Sequence, residues 1–153
     1  MQKFSLSTQF FQLRLIWIAL IAGQVLFLLA IVFIAQPPVA DLPALPLEWI
    51  VPFLSLSTSL ISEWVYRKLV GQAVEKPQLA DRLASYRTAL LIRGALLEFG
   101  GLFAMVMFLI TQTTWVLAFA ALPIAFMVAK VPSLANVESE LSLSQSEADQ
   151  LRA

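Results

Sequence analysis

Cysteine and histidine are both absent from the 153 residues. That removes disulfides, thiolate and imidazole metal sites, cysteine nucleophiles and every histidine-dependent catalytic arrangement. Charge is scarce, at 13% of residues, and balanced, with ten Lys/Arg against ten Asp/Glu. Basic side chains this few and scattered do not form an electrostatic surface for nucleic acid. A Walker loop, a GxGxxG turn and a GxSxG elbow are also missing. What abounds is apolar: 59% of the residues belong to the hydrophobic set, against roughly 45–50% in soluble domains. The expected class is a non-enzymatic membrane protein with no metal and no cofactor.

Four apolar segments follow one another. Leu15 to Ala35 is broken only by Gly23 and Gln24 and is long enough for a hydrocarbon core of about 30 Å. A cleaved signal peptide has an apolar region of only ~7–15 residues, so this segment is expected to stay as a span. Prolines 37, 38, 43 and 46 then mark an extended connection. A shorter and more polar segment runs from about 49 to 65, with Trp49 and Trp64 near its ends. The stretch 66–88 is charged, and Pro77 inside it is suited to open a helix that continues into a third segment, 89–110. Residues Thr111 to Thr114 make a polar turn before a fourth segment at about 115–130, which carries Pro123.

The fold expected is therefore all-α, a polytopic membrane protein with four transmembrane helices in a bundle over residues 1–131. Residues 132–153 read as an acidic tail, either a short helix or disordered, in which Ser144 and Glu147 have capping-box spacing. Lys and Arg lie before the first segment, between the second and third, early in the third and after the fourth, and are missing from the two opposite connections. The positive-inside rule then places both termini and the 66–88 connection in the cytoplasm. Trp49, Trp64 and Trp115 read as interface anchors, and Arg93 as a side chain that snorkels to the cytoplasmic interface.

Polar residues at depth are the informative ones in such a chain, because they are costly in lipid. Glu98 lies about 14 Å into the third segment, near mid-membrane. Gly94 and Gly101 share roughly its helical face and suit close helix packing. Gln24 lies mid-way along the first segment, and Ser55, Thr58 and Ser59 lie in the second. A compact arrangement gathers Gln24, the serine stripe and Glu98 inside the bundle as mutual hydrogen-bond partners. Glu63 and Arg67, one helical turn apart, are suited to a surface ion pair. The serines have no lysine at their depth to activate them, and Glu98 has no second acid for paired acid/base work or a carboxylate metal site.

The runs Ala19-Leu20-Ile21-Ala22-Gly23-Gln24, Tyr86-Arg87-Thr88-Ala89 and Ala95-Leu96-Leu97-Glu98 resemble those of an uncharacterised family of small bacterial four-span membrane proteins. The resemblance extends to Pro132-Ser133 and to the stretch from Val137 to Leu141. It implies four spans, a bacterial inner (plasma) membrane location and no assigned activity. More locally, Ala95-Leu96-Leu97-Glu98 with Leu102 and Val106 is similar to the carboxylate-bearing helix of rotary ATPase proteolipid subunits, whose glutamate binds a proton or sodium ion. The glycine-rich partner helix of those proteins is missing here.

Two roles follow as expectations. In the first, the protein is a subunit or scaffold whose polar cluster holds the helices together, with the lipid bilayer, copies of itself or a larger membrane complex as partners. The alternative is a proton- or cation-coupled small transporter or channel subunit that uses Glu98.

Overall fold

The computed structural model describes residues 6–34 and 46–152. Lys3 and the proline-spaced connection at 35–45 lie outside the described residues. All regular elements described are helical: α1 (Leu6–Ile34), α2 (Ile50–Val74), α3 (Leu79–Thr111), α4 (Leu117–Ala129), α5 (Leu134–Glu140) and α6 (Gln145–Arg152). Single 3-10 turns, Pro46–Trp49 and Thr114–Val116, lead into α2 and α4.

Helices α2 and α3 form the central hairpin. The charged stretch 66–88 is helical except at 75–78: its second half is the expected helix that runs on into the third segment, whereas 66–74, expected as part of the connection, continues α2. Its charges sit on the outside of helices they do not break, and Pro77 alone interrupts the backbone ladder. Asp81 in the first turn of α3 favours the positive end of its dipole. At the other end of α3, Gln112 takes a left-handed conformation (φ 56°) and its N–H bonds the Phe108 carbonyl at 2.7 Å, closing the helix.

Helix α1 lies on the outside of this hairpin. Leu13, Trp17, Gln24 and Ile31 are its buried stripe, while Leu15, Ile18, Leu26 and Phe33 are exposed. An apolar surface on both faces suits a helix surrounded by lipid. Two apolar clusters fill the interior. One, at the end rich in Arg and Lys, joins Trp17, Tyr66, Tyr86, Leu90 and Met127; the other, at the tryptophan end, joins Ile31, Val51, Met105, Phe108 and Val116.

The acidic tail does not trail away from the bundle. It turns by 82° after α4 and lays two short helices across the basic end, burying Val137, Leu141 and Leu151 in the first cluster. The Ser133 hydroxyl caps α5 by accepting from Asn136 N–H at 3.2 Å. At α6 the carboxylate half of the capping box forms: Ser144 N–H donates to Glu147 Oε2 at 2.8 Å, and the Ser144 hydroxyl donates to the same oxygen at 2.8 Å. Those bonds hold the Glu147 carboxyl below the usual carboxylate range. The acidic composition concealed three apolar residues at the spacing needed to dock.

Two described helices, α1 over Phe10–Ile34 and α3, are long and apolar enough to cross a membrane. Helix α4 has 13 residues, and only with the turn before it and α5 beyond the bend does it make a third candidate. Helix α2 has the length, at 25 residues, but carries the serine stripe.

Candidate functional site

Helix α3 supplies the close approaches. A Cβ on Gly94 would lie 3.2 Å from the Trp17 ring, and one on Gly101 would lie 2.8 Å from Gln24 Oε1. Both therefore face α1, as small residues in membrane helices permit. Gly100, not singled out from the sequence, faces α2: a Cβ there would collide with Thr58 Oγ1. Only the adjacency of two glycines in one apolar helix signals that two neighbours approach at the same level.

The serine stripe serves the backbone. Pro123 has no N–H, so the Phe119 carbonyl four residues earlier loses its helical donor. Ser55 Oγ donates to that carbonyl at 2.9 Å across the α2–α4 contact. Ser59 Oγ donates to the Ser55 carbonyl at 2.8 Å, Thr58 Oγ1 to the same oxygen at 3.1 Å, and Ser62 Oγ to the Ser59 carbonyl at 2.7 Å. Such bonds back to the preceding turn satisfy a hydroxyl without a second helix.

Gln24 and Trp17 join α1 to α4. Trp17 Nε1–H donates to the Met127 carbonyl at 3.0 Å, covering an acceptor in the last turn of α4. Gln24 Nε2 lies 3.5 Å from Met127 Sδ, and its buried Oε1 has no partner among the described residues.

Glu98 stands apart from both groups. It is half-buried, and among the described residues its carboxyl makes no hydrogen bond or ion pair. The expected gathering of Gln24, the stripe and Glu98 into one cluster is not what the structure holds. Gly101 and Gly100 are successive, so they send Gln24 and the stripe to separate sides of α3. An offset of three residues then turns Glu98 about 60° away from Gly101.

Arg93 does not snorkel. It is only 3% exposed, and its Nη2 donates to Glu63 Oε2 at 2.5 Å. Its guanidinium lies 4.4 Å from the Tyr66 ring and 5.5 Å from that of Phe126. A buried guanidinium is tolerable when a carboxylate is supplied, and α2 supplies one. Glu63 also keeps the pair expected with Arg67, at 2.9 Å, so one carboxylate serves two arginines. Beside it the Tyr66 hydroxyl donates to Glu140, and the Tyr66 and Tyr86 rings meet edge to face at 6.2 Å, tying α5 to the hairpin.

The opposite end is aromatic. Trp49 and Trp115 are exposed there, whereas Trp64, also exposed, lies towards the basic end with Lys68 Nζ 5.3 Å from its ring. Trp49 and Trp115 rings are 5.8 Å apart, and Phe119 meets Trp115 edge to face at 5.9 Å. Beneath them Glu48, which sequence reasoning passed over, is buried and accepts a hydrogen bond from Thr113 Oγ1 at 2.7 Å. Its position beside Trp49 hid it among residues taken as interface anchors.

No group of three or more metal-ligating acids occurs among the described residues. Among the described residues the fold is all-helical, with two helices long and apolar enough to cross a membrane. Compared with protein-family models, curated proteins and solved structures, the chain matches none.

Proposed function

We propose that this chain is a multi-pass protein of a bacterial inner membrane, both termini cytoplasmic, that works without catalysis as a subunit or scaffold of a larger membrane assembly. On this reading α2 and α4 complete a four-span bundle around α1 and α3, and the end holding Arg67, Arg82 and Arg87 faces the cytoplasm.

Glu98 carries the proposal. It lies near the middle of α3, half-buried beside exposed Phe99 and Ala95, and without a bonding partner among the described residues. A carboxyl facing hydrocarbon alone is costly, and a donor from a neighbouring chain removes that cost. Contact with a partner along the α1–α3 edge follows, whether that partner is a second copy or another protein.

The test compares wild type, Glu98→Gln and Glu98→Leu in lipid nanodiscs, with assembly read by native mass spectrometry and fold by circular dichroism. Glu98→Gln retains a donor and an acceptor and is expected to assemble as wild type does. Glu98→Leu is expected to stay folded and lose assembly by about tenfold or more. Equal assembly of all three overturns the subunit reading. The ion-coupled alternative would show instead as a proton or cation flux that Glu98→Gln abolishes with assembly intact. It has less support, because the hydroxyls of α2 that would line a water path are bonded to carbonyls of α2 and α4.

A further inference from the structure

Nothing in the proposed role uses the cavity at the aromatic end. It has a volume of about 320 Å³ and is lined by Glu48, Trp49, Pro52, Trp115 and Phe119. That is near the lower limit for ligand pockets, which run from roughly 300 to 1,000 Å³, so it suits a small group. We propose that this cavity binds a quaternary ammonium group, held by the faces of Trp49 and Trp115 and by the carboxylate of Glu48.

Three features select that chemistry. The Trp49 and Trp115 side chains line the cavity with their rings tilted 47° to each other, and tryptophan is the strongest of the aromatic side chains in attracting a cation. Among the described residues the lining includes an acid, Glu48, and no basic side chain, which suits a cation better than an anion. A primary ammonium has three N–H donors to satisfy, and walls of ring carbon and proline offer it few acceptors. A quaternary ammonium has no donor, so an apolar wall with one carboxylate answers its needs. The Thr113 hydroxyl at 2.7 Å positions that carboxylate. Such a group could come from the bilayer, as a lipid headgroup, or from water, as a small amine.

The experiment uses the full chain in nanodiscs of phosphatidylethanolamine and phosphatidylglycerol, which carry no quaternary ammonium. Equilibrium retention of labelled tetramethylammonium, and separately of dodecyltrimethylammonium, is measured above that of empty discs. Saturable retention of tetramethylammonium identifies a soluble source; retention of the amphiphile alone identifies a lipid one, and either upholds the site. Trp49→Leu and Glu48→Gln are each expected to weaken binding by about tenfold. Trp49 is 71% exposed, and Gln retains an acceptor for Thr113, so both variants should keep the wild-type circular dichroism and gel-filtration profile. The proposal is overturned if neither probe is retained, if neopentyl alcohol, the uncharged analogue, is retained equally, or if both variants bind as wild type does.

Discussion

Ser55 and Pro123 are coupled through a third group: the hydroxyl of one replaces the helical donor that the other removes from the Phe119 carbonyl, at 2.9 Å. Ser55→Ala is expected to destabilise the protein by about 1–2 kcal/mol, the cost of stranding a buried acceptor. In a Pro123→Ala background the restored N–H bonds that carbonyl, and the same serine change should cost under ~0.5 kcal/mol. A double-mutant cycle on unfolding in bicelles measures the difference. Equal costs in both backgrounds would sink this account.

The Glu63 carboxylate and its two arginines predict an asymmetry. Glu63→Leu strands the buried Arg93 guanidinium and should cost roughly 3 kcal/mol or more. Arg93→Met leaves Glu63 its pair with Arg67 at 2.9 Å and should cost about half as much or less. Combining the two should recover stability relative to Glu63→Leu alone. The ranking can be read from thermal inactivation in detergent.

Gly100 and Gly71 make opposite predictions from the same substitution. A methyl at Gly100 runs into Thr58 Oγ1, whereas one at Gly71 meets nothing within 4 Å. Gly100→Ala is expected to destabilise by about 1–3 kcal/mol, and adding Thr58→Ala should relieve most of that. Gly71→Ala should stabilise by up to ~1 kcal/mol through helix propensity. Thermal unfolding of the three variants beside wild type separates the cases.

The docking of α6 should depend on pH. Its Glu147 carboxyl is held below the ordinary value of about 4.5 by the bonds from Ser144. Because the folded value is the lower one, the cap contributes fully above about 4.5 and is lost as pH falls through the folded value. Hydrogen exchange at Ala148 N–H, which donates to the Ser144 carbonyl at 2.9 Å, should then lose protection once the pH-dependent chemical rate is factored out. Glu147→Gln should abolish that acid-dependent loss.

Local chemistry was legible in the residues. Pro77 lies just ahead of α3, the helix it was expected to open, the polar run Thr111 to Thr114 lies at the α3–α4 turn, and Ser144 with Glu147 forms the carboxylate half of its box. Small residues in an apolar helix mark where another helix can come close, and Gly94 and Gly101 sit at such approaches. Choices made across the fold were not legible. Glu63 has a sufficient partner one turn away, so nothing local asks for Arg93 as well. The acidic character of 132–153 outweighed the spacing of Val137, Leu141 and Leu151, which acquires meaning only once a bundle end exists to receive them. The hydrophobic runs suggested four crossings, but length and hydropathy within the described helices support two, with a broken third.

Gly100 and Gly101 touch different helices at one level of α3. Turning α3 about its own axis in one sense would drive Phe99 into the slot beside Thr58, and in the other Leu102 into the slot beside Gln24. The helix is therefore keyed against rotation, like a shaft with two flats, while rocking about that level leaves both contacts nearly in place. Any movement transmitted from one end of the bundle to the other would travel as a tilt with its fulcrum at the paired glycines.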